Sequence, residues 1–137
     1  MKQKLIDYLE QKIKMINYED LKFGIIHNTD YSFEAIIEAH NCFIKISEGT
    51  RQFQLSISKK DNNWISMYWV ASYLKMEYQI FSVDQLKGDY DIIMMNQIDY
   101  LCCFISDNLQ CLDNFYMKKI DNEIKIIKEQ AVLFWKK

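Results

Sequence analysis

Between Phe33 and Val70 apolar residues recur at every second position, and polar clusters break the run at short intervals. That pattern confines the chain to folds built on an antiparallel sheet with one dry and one wetter face. Arg51 to Ser58 is the clearest case, with Phe53, Leu55 and Ile57 on one face and Gln52, Gln54, Ser56 and Ser58 on the other. Cys42, Ile44 and Ile46 oppose Phe43, Lys45 and Ser47 in the strand before it. Glu48-Gly49-Thr50 supplies the connection, in which Gly49 can take positive φ. Phe33 to His40 reads as a further strand ending in a turn at Asn41. Trp64 to Val70, after the polar turn Lys59 to Asn63, reads as a fourth strand covered on both faces, because both of its sides carry bulky groups.

A chain of 137 residues has the size of one domain and is expected to fold over its whole length around a single core, without a disulfide or metal staple. Half of its residues are hydrophobic and it contains no proline, three glycines and no low-complexity tract, so neither a linker nor a phosphate-cradling glycine loop is expected.

Leu5, Ile6, Leu9, Ile13 and Ile16 recur at helical spacing and predict an N-terminal amphipathic helix. Leu21 to Ile26 can form a short extended segment weakened by Gly24. Ala71 to Phe81 satisfies neither the strand nor the helix period and stays open between strand continuation and loop. Ser82 to Gln85 matches a capping box for a short helix through Leu86, closed by Gly88. Asp89 or Asp91 can cap a long helix carrying the stripe Ile92, Ile98, Leu101, Cys102, Ile105, Leu109, Leu112, Phe115 and Tyr116. A further stripe at Ile120, Ile124, Ile127, Ala131 and Phe134 continues or restarts it near 119–122. The fold class expected is therefore α+β: an N-terminal helix, a meander of about four strands, and a helical C-terminal third packed on one sheet face.

A formal charge of −2 and a single arginine, Arg51, argue against the basic face that phosphate contacts require, so no nucleic-acid partner is expected. No apolar run reaches the ~20 residues that span a bilayer, and the N-terminus opens into an amphipathic segment, so no membrane is expected and a cytoplasmic location follows. The four cysteines, Cys42, Cys102, Cys103 and Cys111, lack metal-ligand or disulfide spacing and read as buried apolar thiols, with Cys102 and Cys103 about 100° apart on a helix. Glu34, Glu38 and His40 share a strand face, but Glu34 and Glu38 stand roughly 13 Å apart, too far for one metal or proton-transfer site. His27 and His40 have no nucleophile motif beside them. No cofactor and no metal are expected.

Trp64, Tyr68, Trp69, Tyr73, Tyr78 and Phe81 crowd six rings into eighteen residues, more than one sheet face can bury. Trp69, Tyr73 and Tyr78 with Asp84 are therefore expected to form a protein-contact surface, the rings as anchors and the carboxylate steering a basic partner together with Asp61 and Glu77. The order of elements adds a likeness. A leading helix, Phe23-Gly24, a meander ending in a Trp-rich strand, the run from Glu77 to Leu86 and a Leu-rich terminal helix together resemble small bacterial immunity-type proteins found with polymorphic toxins. The chain lacks the strong acidity of nuclease inhibitors in such systems. The resemblance implies a cytosolic protein that binds and neutralises another protein, such as a cognate toxin; the domain itself is expected to be a monomer or weak dimer. The residues themselves leave a second reading, a small-molecule binder or enzyme with an aromatic-lined pocket between sheet and helices.

Overall fold

Five strands follow one another across a single antiparallel sheet: β1 (Lys22–Asn28), β2 (Phe33–Glu38), β3 (Phe43–Gly49), β4 (Gln52–Ser58) and β5 (Ile65–Ser66). The computed structural model that shows this describes residues 2–29, 32–49, 51–81, 84–118 and 120–136. Helix α1 (Lys2–Lys14) precedes the sheet, and α2 (Met67–Tyr73), α3 (Tyr90–Met117) and α4 (Asp121–Lys136) follow it, with one 3₁₀ turn at Asp84–Leu86. The alternation works as expected in β2, β3 and β4. Phe33, Ala35, Ile37, Ile44, Ile46, Phe53, Leu55 and Ile57 are buried against the helices, and the opposite face carries Glu34, Glu38, Phe43, Lys45 and Gln54. The chain is α+β, with its helices on one face of the sheet.

Several local expectations give way to the tertiary structure. β1 is a seven-residue strand that tolerates Gly24 because it lies at the sheet edge, and it shifts register between Ile25 and His27. At the β3–β4 turn Gly49 stays in the strand, paired with Gln52, and the left-handed conformation falls on Arg51 (φ 58°). Its guanidinium there donates to the carbonyls of Leu86 and Gly88 at 2.8 and 2.6 Å, contacts that offset the cost of a non-glycine residue at positive φ.

The largest departure is Trp64–Val70. Only Ile65–Ser66 pairs with β4, and from Met67 the chain is helical. Met67, Val70 and Ala71 lie at helical spacing and are buried together, so a run that satisfies period two also satisfies a short helix, and packing against β4 and α4 selects the helix. The ambiguous stretch after it ends α2: the Met76 N–H donates to the Ala71 carbonyl and the Lys75 N–H to Ser72, with Lys75 left-handed (φ 59°). This is the Schellman arrangement with lysine in the position glycine usually holds. The capping box at Ser82 and Val83 lies outside the described residues, while Gly88 does take positive φ (114°).

α3 starts at Asp89, whose carboxylate accepts from the Ile92 N–H at 3.1 Å. That start places Ile93 and Met94 inward and leaves Ile92 exposed, because Ile92 sits six residues, about 240° of helix, before Ile98. The helix carries two buried polar side chains. Gln97 accepts from the Phe53 N–H at 2.7 Å and donates to the Arg51 carbonyl at 2.9 Å, completing the outer edge of β4 where β5 is too short to reach. Asp113 accepts from the His40 and Asn41 N–H groups of the β2–β3 turn at 3.3 and 2.7 Å and from the Tyr18 hydroxyl at 2.6 Å.

Leaving a buried backbone group unpaired costs about 1–3 kcal/mol. Gln97→Leu should therefore lower unfolding free energy by about 2–4 kcal/mol, and Asp113→Ala by about 3 kcal/mol. Urea denaturation followed by circular dichroism measures both; a loss under about 1 kcal/mol in each would mean that water replaces these side chains.

Candidate functional site

The brevity of β5 leaves Gln52 to Leu55 without a strand partner on one side, and that side is filled by α2, the segment 78–81 and the end of α4. Between them runs a groove of about 380 Å³ whose aromatic walls are Tyr68, Trp69, Tyr78, Phe81 and Phe134. Among the described residues no charged side chain lines it; its polar groups are Gln52, Gln54, Ser56, Ser66 and Gln79. The rings brace one another edge to face. Trp69 meets Tyr68 at 4.9 Å and Phe134 at 5.2 Å between centroids, Tyr78 meets Phe104 at 4.9 Å, and Phe81 meets Tyr100 at 5.5 Å. The Tyr78 side chain lies beside Leu55 on this edge. Burial pushes the Tyr78 phenol up to about 12.

The four residues expected as a contact surface separate into three places. Trp69 and Tyr78 line this groove. Tyr73 packs on Phe115 at the opposite end of α2 and donates to Glu123 on α4 at 3.2 Å. Asp84 lies on the exposed 3₁₀ turn, with Lys87 at 3.3 Å. The alternation argument for Trp69 fails with the strand it assumed: the large aromatics on the open sheet face are Phe43 and Trp64, each under a lysine ammonium, Lys60 at 5.7 Å and Lys45 at 4.5 Å. The expected acidic flank is also dispersed, since Asp61 is 3.7 Å from Lys59 and its carboxylate, held low by the Asn63 N–H and by Lys59 against the opposing effect of burial, serves its own turn.

The stripe expected on α4 also took in Ala131 and Phe134, and neither is buried with the rest of it. The stripe Ile120, Ile124 and Ile127 is buried as expected, but by its last turns α4 has run past the core. Val132, Leu133 and Phe134 are 51%, 60% and 54% exposed, and Ile126 is 43% exposed. The one available signal was the sequence Ala-Val-Leu-Phe-Trp itself, in which five consecutive apolar residues cannot all face one side of a helix.

The polar clusters hold structure together. His40 stands between two carboxylates, Nε2 3.7 Å from Asp20 and Nδ1 3.8 Å from Asp113, with the Tyr18 ring at 5.7 Å. The neighbouring Cys42 thiol donates to Asp113 at 3.7 Å, and burial followed by the Asp113 charge raises its pKa, so it stays a neutral thiol and a poor nucleophile. Glu34 and Glu38 go to separate lysines, Lys45 at 3.7 Å and Lys60 at 2.9 Å. Among the described residues no group of three His, Cys, Asp or Glu is placed to hold a metal ion. All four cysteines are free, Cys42 and Cys102 buried but Cys103 and Cys111 exposed, so the core-thiol reading holds for two of them. Among the described residues no helix is long and apolar enough to cross a membrane. No family model, no curated protein and no solved structure matches the chain.

The Tyr78 phenol gives the groove a pH signature. Its unfolded value is 10.0 and its folded value about 12, so the folded state holds this proton where the unfolded chain releases it. The stabilisation is complete below pH 10 and is lost as pH rises toward 12. Denaturation curves at pH 9 and pH 11 should show a smaller alkaline loss in Tyr78→Phe than in the parent; equal losses would place the phenol in water.

Proposed function

We propose that the chain is a protein-binding module, of the kind an immunity protein uses to bind and neutralise a cognate toxin. The observation that carries the reading is the exposed end of α4, where Val132, Leu133 and Phe134 are all more than half exposed next to the groove edged by Trp69 and Tyr78. A run of large apolar side chains beside an aromatic groove has the makeup of an interface core. The groove itself offers anchors of the hot-spot type, with uncharged amides and hydroxyls around them and no carboxylate to desolvate. The resemblance in element order to immunity-type proteins points the same way, and nothing in this reading requires a cofactor. Trp69 and Phe134 are the anchors of the proposed surface, Tyr78 and Phe81 its second wall. Tyr73 keeps α2 on α4, and Asp84 lies outside the surface.

A second reading, a binder of an uncharged small molecule, is favoured by the groove volume, which falls within the range of ligand pockets. It is weakened by the open form of the groove, which would leave much of such a ligand in water.

The experiment is to express the reading frame adjacent to this one with and without the chain and score growth. The proposal expects toxicity that co-expression relieves. Trp69→Ala with Phe134→Ser should keep the circular dichroism spectrum of the parent and weaken binding to the neutralised protein by on the order of 2 kcal/mol or more. A harmless neighbour, or full protection by the folded double variant, would defeat the reading.

A further inference from the structure

A second cleft, of about 650 Å³, lies between α4 and the Lys59–Asn63 turn, and its chemistry differs from that of the groove. Ile124, Val132 and Leu133 form an apolar floor, and Lys59, Lys125 and Lys128 stand around it with Asp121 and Glu129. Lys59 is committed: its ammonium is 2.7 Å from Asp121 and 3.7 Å from Asp61. Lys128 donates to the neutral side-chain oxygen of Asn63 at 2.5 Å, which orients the ammonium without cancelling its charge. Among the described residues neither Lys125 nor Lys128 has a carboxylate within ion-pair distance, and Glu129 is left as the sole carboxylate of the cleft not held by a lysine.

We propose that this cleft receives an acidic, apolar segment of the partner protein, with large aliphatic or aromatic side chains on Ile124, Val132 and Leu133 and carboxylates meeting Lys125 and Lys128. The inference rests on the protein-binding reading and gives the partner a polarity, opposite to the basic partner expected from Asp61, Glu77 and Asp84. Charge complementarity selects the occupant: with Lys59 held by Asp121, the apolar floor lies under two ammonium groups against the single carboxylate of Glu129, an excess of positive charge that disfavours a basic segment and matches an anionic one. The open form of the cleft selects a protein over a free small anion, because a small ligand reaches affinity by burying most of its surface, which only an enclosing site allows. A protein segment brings further surface along, and here that surface meets the exposed end of α4, where Leu133 is 60% exposed and leads to Phe134 and the aromatic groove.

The test is to pan a phage-displayed library of random short peptides on the full chain and measure the affinity of enriched peptides by fluorescence polarisation. Enriched sequences should combine Asp or Glu with Leu or Phe, lose affinity as salt rises, and bind on the order of tenfold more weakly to the folded Lys125→Glu/Lys128→Glu variant. Peptides indifferent to that variant but lost in Trp69→Ala would overturn the cleft while the protein-binding reading stands. Enrichment of basic peptides would overturn the proposed polarity. Sodium dodecanoate binding at the two lysines without any acidic peptide would replace the segment with a small amphipathic anion and overturn the proposal. Failure to enrich any peptide would overturn both readings.

Discussion

The structure depends on how α3 is pinned across the dry face of the sheet. Apolar burial alone would let a long helix slide or rotate over Ile37, Ile44, Ile46 and Leu55, because hydrophobic contact is not directional. Two buried polar side chains remove that freedom. Gln97 satisfies the Arg51 carbonyl and the Phe53 N–H at the start of β4, and Asp113, sixteen positions and about 24 Å further along the helix, satisfies the turn between β2 and β3. Each pairs with backbone groups that a shifted helix would leave unpaired in the core, and that penalty fixes a single register.

The groove follows from the same arrangement. An edge strand with unpaired N–H groups invites another strand, and proteins close such edges in several ways. Here β5 covers only Ser56 and Ile57; beyond it Gln97 accepts from the Phe53 N–H, and the Tyr78 side chain lies beside Leu55. A closed edge discourages strand addition but leaves space that a full fifth strand would have filled. α2 and the 78–81 segment occupy part of it, and the remainder is the aromatic groove.

Charge on this molecule is largely spent within it. Glu34, Glu38, Asp61, Asp84 and Asp121 each face a lysine of the same chain, so net charge says little about what a particular surface presents. Lys125 and Lys128, with no carboxylate within ion-pair distance among the described residues, stand with Glu129 beside the most exposed apolar part of α4. The exposed apolar end of α4 thus has an excess of lysine charge at one side and a neutral aromatic groove at the other.

Periodicity by itself determined the α+β class, the buried faces of β2, β3 and β4, the inner stripe of α1 and the inner residues of α3 from Ile98 onward, because those signals are local and repeat many times. It could not separate strand from helix in Ile65 to Val70, where a few bulky residues satisfy both periods; only the packing of Met67, Val70 and Ala71 against β4 and α4 decided that. Of the candidate site, Trp69 and Tyr78 were legible as surplus aromatics, while Tyr73 and Asp84 were drawn in by sequence proximity and belong elsewhere. Phe134 is 65 residues from Trp69 along the chain, Gln97 lies 44 from Phe53 and Asp113 72 from Asn41. No local pattern marks a glutamine or an aspartate as the partner of a distant backbone group. Those pairings, and the groove they leave open, exist only once α3 and α4 have docked on the sheet.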